Sequence, residues 1–163
     1  MLQKTLLASF FRGGLFLRII AELDENKQAY LLGYVYCSQL DEARQVRFYI
    51  DTGSTVTTLL DIDTVRLGLK WRDLKQTKCD TAVGPAYPFV LPSATILLKS
   101  TDEGKVTLNP FPLEIIHLLP PDDPTTVMPV QYEFAFSLLG MDVLAKFKTL
   151  TFNFAEKKLI LET

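Results

Sequence analysis

An apolar run, Phe48-Tyr49-Ile50, leads directly into an Asp-Thr-Gly-Ser tetrapeptide that begins at Asp51. Removing a carboxylate from water without partners costs on the order of several kcal/mol, so a strand ending in an acid must supply hydrogen bonds or use the charge. Thr52 and Ser54 offer hydroxyls, and Gly53 can turn its backbone N–H inward because it has no Cβ. The same residue types form ordinary β-turns, so the tetrapeptide alone leaves two interpretations, an acid site or a plain turn.

Further motifs follow in a fixed order: Leu67-Gly68-Leu69, then Val83-Gly84, then Leu138-Leu139-Gly140-Met141-Asp142. Together with the Asp51 tetrapeptide they resemble the retroviral-type (retropepsin-like) aspartic proteases over about residues 30–162. The resemblance implies a mainly β fold, a single-domain acid protease barrel with one or two short helices. It assigns residues 30–163 to that domain and leaves residues 1–29 as an N-terminal extension, either a strand or an arm.

The chain holds one Asp-Thr-Gly, and acid catalysis of peptide hydrolysis needs one ionised carboxyl and one neutral carboxyl. Two carboxyls about 3 Å apart share a proton and divide these roles, so the partner of Asp51 must come from a second molecule. The resemblance therefore implies an aspartic endopeptidase active as a homodimer on an extended peptide or protein substrate, without metal or cofactor. It also implies that Thr52 links the two loops and that Ser54 hydrogen-bonds the carboxylate.

Residues 82–85 resemble the family's flap, a hairpin that folds over substrate, and they predict a substrate-binding role for Ala82, Val83, Gly84 and Pro85. Pro85 departs from the glycine-rich family pattern, because proline fixes φ and removes a backbone donor. A surface hairpin without function is the alternative.

Leu139, Gly140 and Asp142 are predicted to support the site. Gly140 would let two backbones cross closely beside Asp51, and Asp142 would satisfy N–H groups at the start of a helix reaching Phe147. In the family the C-terminal strand often builds the dimer sheet, and we expect the 158–162 edge to do so here. A catalytically silent dimeric β-barrel that binds peptides or proteins is the alternative function.

Net charge is −2 with a pI near 5.4 and no basic stripe, so neither nucleic acid nor a membrane surface is an expected partner. At 163 residues and 48% hydrophobic, the chain suits one domain with a core. Residues 1–11 imitate a signal peptide, but Arg12 interrupts the apolar run and no small-x-small cleavage site follows, which favours the cytoplasm. Cys37 and Cys79 are predicted as free thiols, with one disulfide as the alternative.

The remaining pattern predicts local elements. His117 and Trp71 are interpreted as structural residues rather than as a triad member or a substrate platform. Asp61 or Asp63 should cap a short helix that Gly68 ends. Pro110 and Pro112 should mark the entry of a separate strand. Strands are expected at 15–23 (or a short helix there), 30–37, 45–50, 55–60, 94–99, 106–108, 111–118, 134–139, 149–154 and 159–161.

Overall fold

The computed structural model describes residues 17–81, 84–102, 105–121 and 136–163. Within them, eleven strands and two short helices follow in chain order: β1 (Arg18–Leu23), β2 (Ala29–Tyr36), β3 (Arg44–Ile50), β4 (Thr58–Leu60), α1 (Asp61–Arg66), β5 (Cys79–Thr81), β6 (Gly84–Ala86), β7 (Phe89–Asp102), β8 (Lys105–Leu119), β9 (Ser137–Leu139), α2 (Met141–Leu144), β10 (Thr149–Asn153) and β11 (Lys158–Glu162).

Strict alternation of buried and exposed residues produces the first strands. Along β1 the odd-numbered residues from Ile19 to Leu23 are buried and the even-numbered ones face outward or are less buried. Side chains alternate between the two faces of a strand, so this pattern puts one apolar face on the core. The same alternation continues in β2 and β3 and places Phe48, fully buried, directly under Gly33.

Nine strands form one sheet in the order β10-β11-β1-β2-β3-β9-β4-β8-β7, and β7 pairs again with β2. This last pairing closes β2, β3, β9, β4, β8 and β7 into a six-stranded barrel. Closure encloses a core made mostly of aliphatic side chains. The mainly β, single-domain barrel with short helices that the sequence predicts is therefore confirmed.

Outside the barrel, β1, β11 and β10 form a three-stranded extension. Arg18–Glu22 pair with Lys158–Glu162, and the Arg18 guanidinium lies 3.5 Å from the Glu162 carboxylate. The prediction that 158–162 is an exposed edge is wrong, because β11 is paired with β1 on one side and β10 on the other. Of the three strands in this extension, β10 is the outermost, and its outer edge has no partner strand among the described residues.

Part of the predicted N-terminal extension lies in this sheet. Residues 18–23 are the strand β1, whereas residues 1–16 lie outside the described residues. The domain boundary at residue 30 stays a prediction.

The longest hairpin, β7 with β8, also differs from the expected short strands. Pro110 pairs with Leu97 and Pro112 with Thr95, so both prolines lie inside β8 instead of at its entry. Proline is tolerated there because β8 pairs with β4 only from His117 onward, so at the prolines its other edge has no partner strand within the described residues.

Helix α1 ends as predicted but begins differently. Gly68 adopts φ +71° and its N–H donates to the Val65 carbonyl, which stops the helix. Neither Asp61 nor Asp63 caps it: the N-cap is Leu60, without a side-chain hydrogen bond. Trp71 packs against the core as predicted.

Candidate active site

Asp51 lies in the loop immediately after β3. Its N–H donates to the Leu139 carbonyl over 3.1 Å, which fixes the end of β3 against the buried strand β9. Its carboxylate oxygen Oδ1 accepts the Gly53 N–H over 2.9 Å, while the described residues give Oδ2 no hydrogen bond. Asp51 is half-buried, and Thr52 and Gly53 are exposed. The loop therefore presents a carboxylate with one unused oxygen at the surface of the single chain.

The hydroxyl of Ser54 does not face that carboxylate. It donates to the Val56 carbonyl over 2.7 Å, and a serine has only one O–H to donate. The expected hydrogen bond from Ser54 to Asp51 is therefore absent within this chain. The Ser54 hydroxyl bonds instead within the loop, to the carbonyl two residues further along the chain.

Backbone bonds join the loop after Asp51 to the start of α2. The Met141 N–H donates to the Ser54 carbonyl over 2.8 Å, and the Asp142 N–H donates to the Thr55 carbonyl over 3.2 Å. Residues 55–57 consequently do not continue as strand, and β4 begins only at Thr58. These two hydrogen bonds hold the loop against the start of α2.

Gly140 makes this close approach possible, as predicted. A Cβ on Gly140 would lie 2.5 Å from the Val56 carbonyl oxygen and 2.9 Å from the Thr57 nitrogen. Real Cβ atoms essentially never come so close to backbone, so any side chain would push the loop away from α2.

Asp142 acts on the loop and not on its own helix. Its Oδ2 accepts the Thr57 N–H over 2.9 Å, and its Oδ1 accepts the Thr57 hydroxyl over 2.6 Å. That hydroxyl in turn accepts the Gly140 N–H over 3.1 Å. The predicted capping role is wrong, since Gly140 is the N-cap of α2 and makes no side-chain bond. Asp142 still supports the site, because it accepts both the backbone N–H and the hydroxyl of Thr57.

A buried acid, Asp63, which the sequence analysis interpreted only as a helix cap, supports β9. Asp63 is 6% exposed; its carboxylate accepts the Ser137 hydroxyl over 2.6 Å and the Arg66 guanidinium over 2.7 Å. The Ser137 oxygen accepts the Leu60 N–H over 3.2 Å. A lone serine within the apolar run 134–139 was the available signal, since a buried hydroxyl needs a partner.

The hairpin predicted as a flap is present in part. Strands β5 and β6 pair antiparallel, with Thr81 opposite Gly84, and the Thr81 hydroxyl donates to the Gly84 carbonyl over 2.7 Å. Gly84 has φ +122°, which only glycine adopts readily, and Pro85 is exposed. Ala82 and Val83 lie outside the described residues.

A cluster of aromatic side chains surrounds Tyr49, which lies two residues before Asp51. The Tyr30 ring lies 5.7 Å from Tyr49 and 4.5 Å from Phe136, edge to face. The Arg47 guanidinium lies 4.5 Å from the centre of the Tyr30 ring and 4.9 Å from that of Phe136. Burial, and then the charge of Asp24, raise the pKa of Tyr30 above its usual value, so its hydroxyl stays neutral.

His117 lies beside the Thr57–Asp142 pair and not in a catalytic triad. Its backbone N–H donates to the Thr57 carbonyl over 3.1 Å. Burial lowers the pKa of His117, while the nearby Asp142 carboxylate acts in the opposite direction. The thiols of Cys37 and Cys79 are both free, as predicted.

The described residues hold neither a candidate metal site nor a candidate membrane-spanning helix. The described part of the chain contains no group of three or more His, Cys, Asp or Glu residues placed to hold a metal ion. Among the same residues, no helix has the length and apolar character needed to cross a membrane.

Comparison with known proteins supports the fold. No protein-family model and no curated protein matches the chain. Among solved structures, the chain is similar to a retropepsin-like aspartic protease from Rickettsia conorii, with a TM-score of 0.58 and 23% sequence identity. The match covers 91% of this chain and 92% of the other. The barrel described above is thus a retropepsin-like fold.

Proposed function

We propose that the protein is an aspartic endopeptidase that is active as a homodimer. A water molecule would be activated between Asp51 and the Asp51 of a second copy, one carboxyl ionised and the other neutral. The observation that carries this proposal is the Asp51 loop: a half-buried carboxylate with a free oxygen, fixed by Gly53 and Leu139, on a retropepsin-like fold.

The second copy is required because two roles cannot be filled by one carboxyl. Asp63 and Asp142 are both engaged with other side chains, so neither is available to Asp51 within the chain. On a two-fold axis a residue meets its own symmetry mate, which would pair two Asp51 carboxyls. Thr52, exposed at the tip of the loop, would then face its own copy across the axis.

The free edge of β10 is our candidate for the dimer contact, in place of the 158–162 edge. Its sequence, Thr149-Leu150-Thr151-Phe152-Asn153, carries no charge and no proline, so nothing in it blocks pairing with a second strand. Phe152 is 42% exposed and Phe154 is 60% exposed, and their rings stack 5.8 Å apart. Burying this aromatic pair would stabilise a dimer through apolar contact.

Substrate would lie extended beside Asp51, with the β5–β6 hairpin adding backbone hydrogen bonds as a neighbouring strand does. Pro85 departs from the family's flap pattern and has no backbone N–H, so this hairpin would offer one hydrogen-bond donor fewer to the substrate.

The test combines mass and cleavage. Sedimentation velocity measures the dimer, and a mixed peptide library analysed by mass spectrometry detects cleavage. Asp51→Asn should sediment like the parent and cleave nothing; Asp73→Asn, at an exposed site, should cleave normally. A dimer that never cleaves would favour the silent binding barrel, and cleavage by Asp51→Asn would refute the assignment.

A further inference from the structure

A cleft of about 390 Å³ lies outside the barrel, beside β1 and β2. It forms where β2 changes neighbours along one edge: β1 pairs with Ala29 and Tyr30, and β7 begins to pair at Gly33. Leu31 and Leu32 lie between these two ladders and pair only with β3, on the other edge. The divergence of β1 from β7 opens the cleft above them.

The cleft has the composition of a binding site. Ile20 is 43% exposed and Leu32 is 52% exposed, and both line it. Glu22 lines it from β1 and Lys99 from β7, and neither takes part in an ion pair among the described residues. Single exposed aliphatic residues are common, but two within one concave surface, flanked by free charges, match the usual anatomy of a ligand site.

Arg47 connects this cleft to the proposed active site. It lines the cleft opposite Leu32, and its guanidinium contacts both the Tyr30 ring and the Phe136 ring. Arg47 and Tyr49 alternate along β3 and share its outward face, and Asp51 follows in the loop after the strand. At about 3.3 Å per residue, the cleft begins roughly 13 Å from Asp51, the length of four residues of an extended peptide.

We propose that this cleft is a distal binding site for the polypeptide substrate, which takes an apolar substrate side chain about five residues from the cleaved bond. This inference rests on the proposed endopeptidase function. Strands β2 and β1 lie successively beside β3, with Leu32 opposite Arg47, so a chain from Asp51 would cross the sheet obliquely, past Tyr49, to reach Leu32 and then Ile20. Glu22 and Lys99 offer groups of both signs to the polar atoms that flank the bound side chain.

The experiment compares substrates of two lengths. The probe is the octapeptide that the library shows to be cleaved best, with 14-residue versions extended at either end by six residues that contain Leu or, as a control, Ser. With the parent protein, one Leu extension should lower KM about five- to tenfold relative to its Ser control and leave kcat unchanged. Leu32→Asp should abolish that gain but cleave the octapeptide like the parent. Ile20→Asp should do the same.

Val106→Asp is the matched control, because Val106 is 55% exposed and does not line the cleft. It should keep the gain. An equal KM for the Leu and Ser versions at both ends, or a gain that survives both cleft variants, would overturn the inference. If no peptide of the library is cleaved, the proposed function fails; the cleft is then tested separately by fluorescence anisotropy of a labelled 14-residue peptide that contains Leu, on Asp51→Asn. Binding that Leu32→Asp removes supports the cleft in that case, and no binding refutes it.

Discussion

The Asp142 carboxylate accepts both donors of Thr57, the N–H over 2.9 Å and the hydroxyl over 2.6 Å. This pair joins the start of α2 to the loop that carries Asp51. Since Thr57 is fully buried, its N–H and its hydroxyl would be left without a partner if the Asp142 carboxylate were removed.

Thr57→Val should therefore lower the free energy of unfolding by about 2–3 kcal/mol, because it strands a carboxylate oxygen and the Gly140 N–H. Asp142→Asn should cost about 1–2 kcal/mol, since an amide offers only one acceptor to two donors. Urea unfolding followed by fluorescence of Trp71 measures both. Asp73→Asn, at an exposed site, should stay within about 0.5 kcal/mol of the parent. Parent-like stability of Thr57→Val would show that the pair contributes nothing.

Gly140→Ala should be more damaging, with a loss of about 3 kcal/mol or more, because the new Cβ overlaps the backbone of Val56 and Thr57. Gly68→Ala is the comparison: nothing lies within 4 Å of a Cβ there, so only the positive φ is unfavourable, at about 1 kcal/mol. Thermal or urea unfolding should rank the two variants in this order. The reverse order would contradict the close approach at Gly140.

His117, the only histidine in the chain, should make stability pH-dependent. Burial holds its pKa below the ordinary value of 6.5, so the unfolded chain binds the proton first as pH falls. The stabilisation from neutral His117 is complete above pH 6.5 and is lost as pH falls from there through its lower folded pKa. Urea midpoints at pH 7.5 and 5.5 should differ for the parent and differ less for His117→Gln. An equal shift in both proteins would assign the dependence to other groups.

Charge at the β10 edge should prevent the proposed dimer. Phe152→Glu with Phe154→Glu places carboxylates where two copies would meet, so sedimentation should show a monomer and the library should stay uncleaved. Val106→Glu, equally exposed on β8, is the control and should remain a dimer. A double variant that stays dimeric and active would exclude this edge as the contact.

Local sequence was sufficient for much of the fold. The local residue pattern predicted the strands that become β2, β3, β10 and β11, and the glycine at position 68 predicted the end of α1. The close approach of two backbones at Gly140 was predicted as well. These features depend on residues close in the chain, or on a steric limit that a single residue type satisfies.

Where the sequence prediction failed, the deciding partner lay far along the chain. Asp142 and Thr57 are 85 positions apart, and Ser137 is 74 positions from Asp63, so local pattern assigned both acids to the nearest helix start. Which strand forms the edge of the sheet also depends on residues far apart in the chain. Strand β11 has no free edge because β1, which lies near the other end of the sequence, pairs with it. The sequence by itself determined most of the strands and the acid loop. Only the tertiary structure decided which donors Asp63 and Asp142 receive and which edge is left open, because packing, and not proximity in sequence, selects hydrogen-bond partners and strand neighbours.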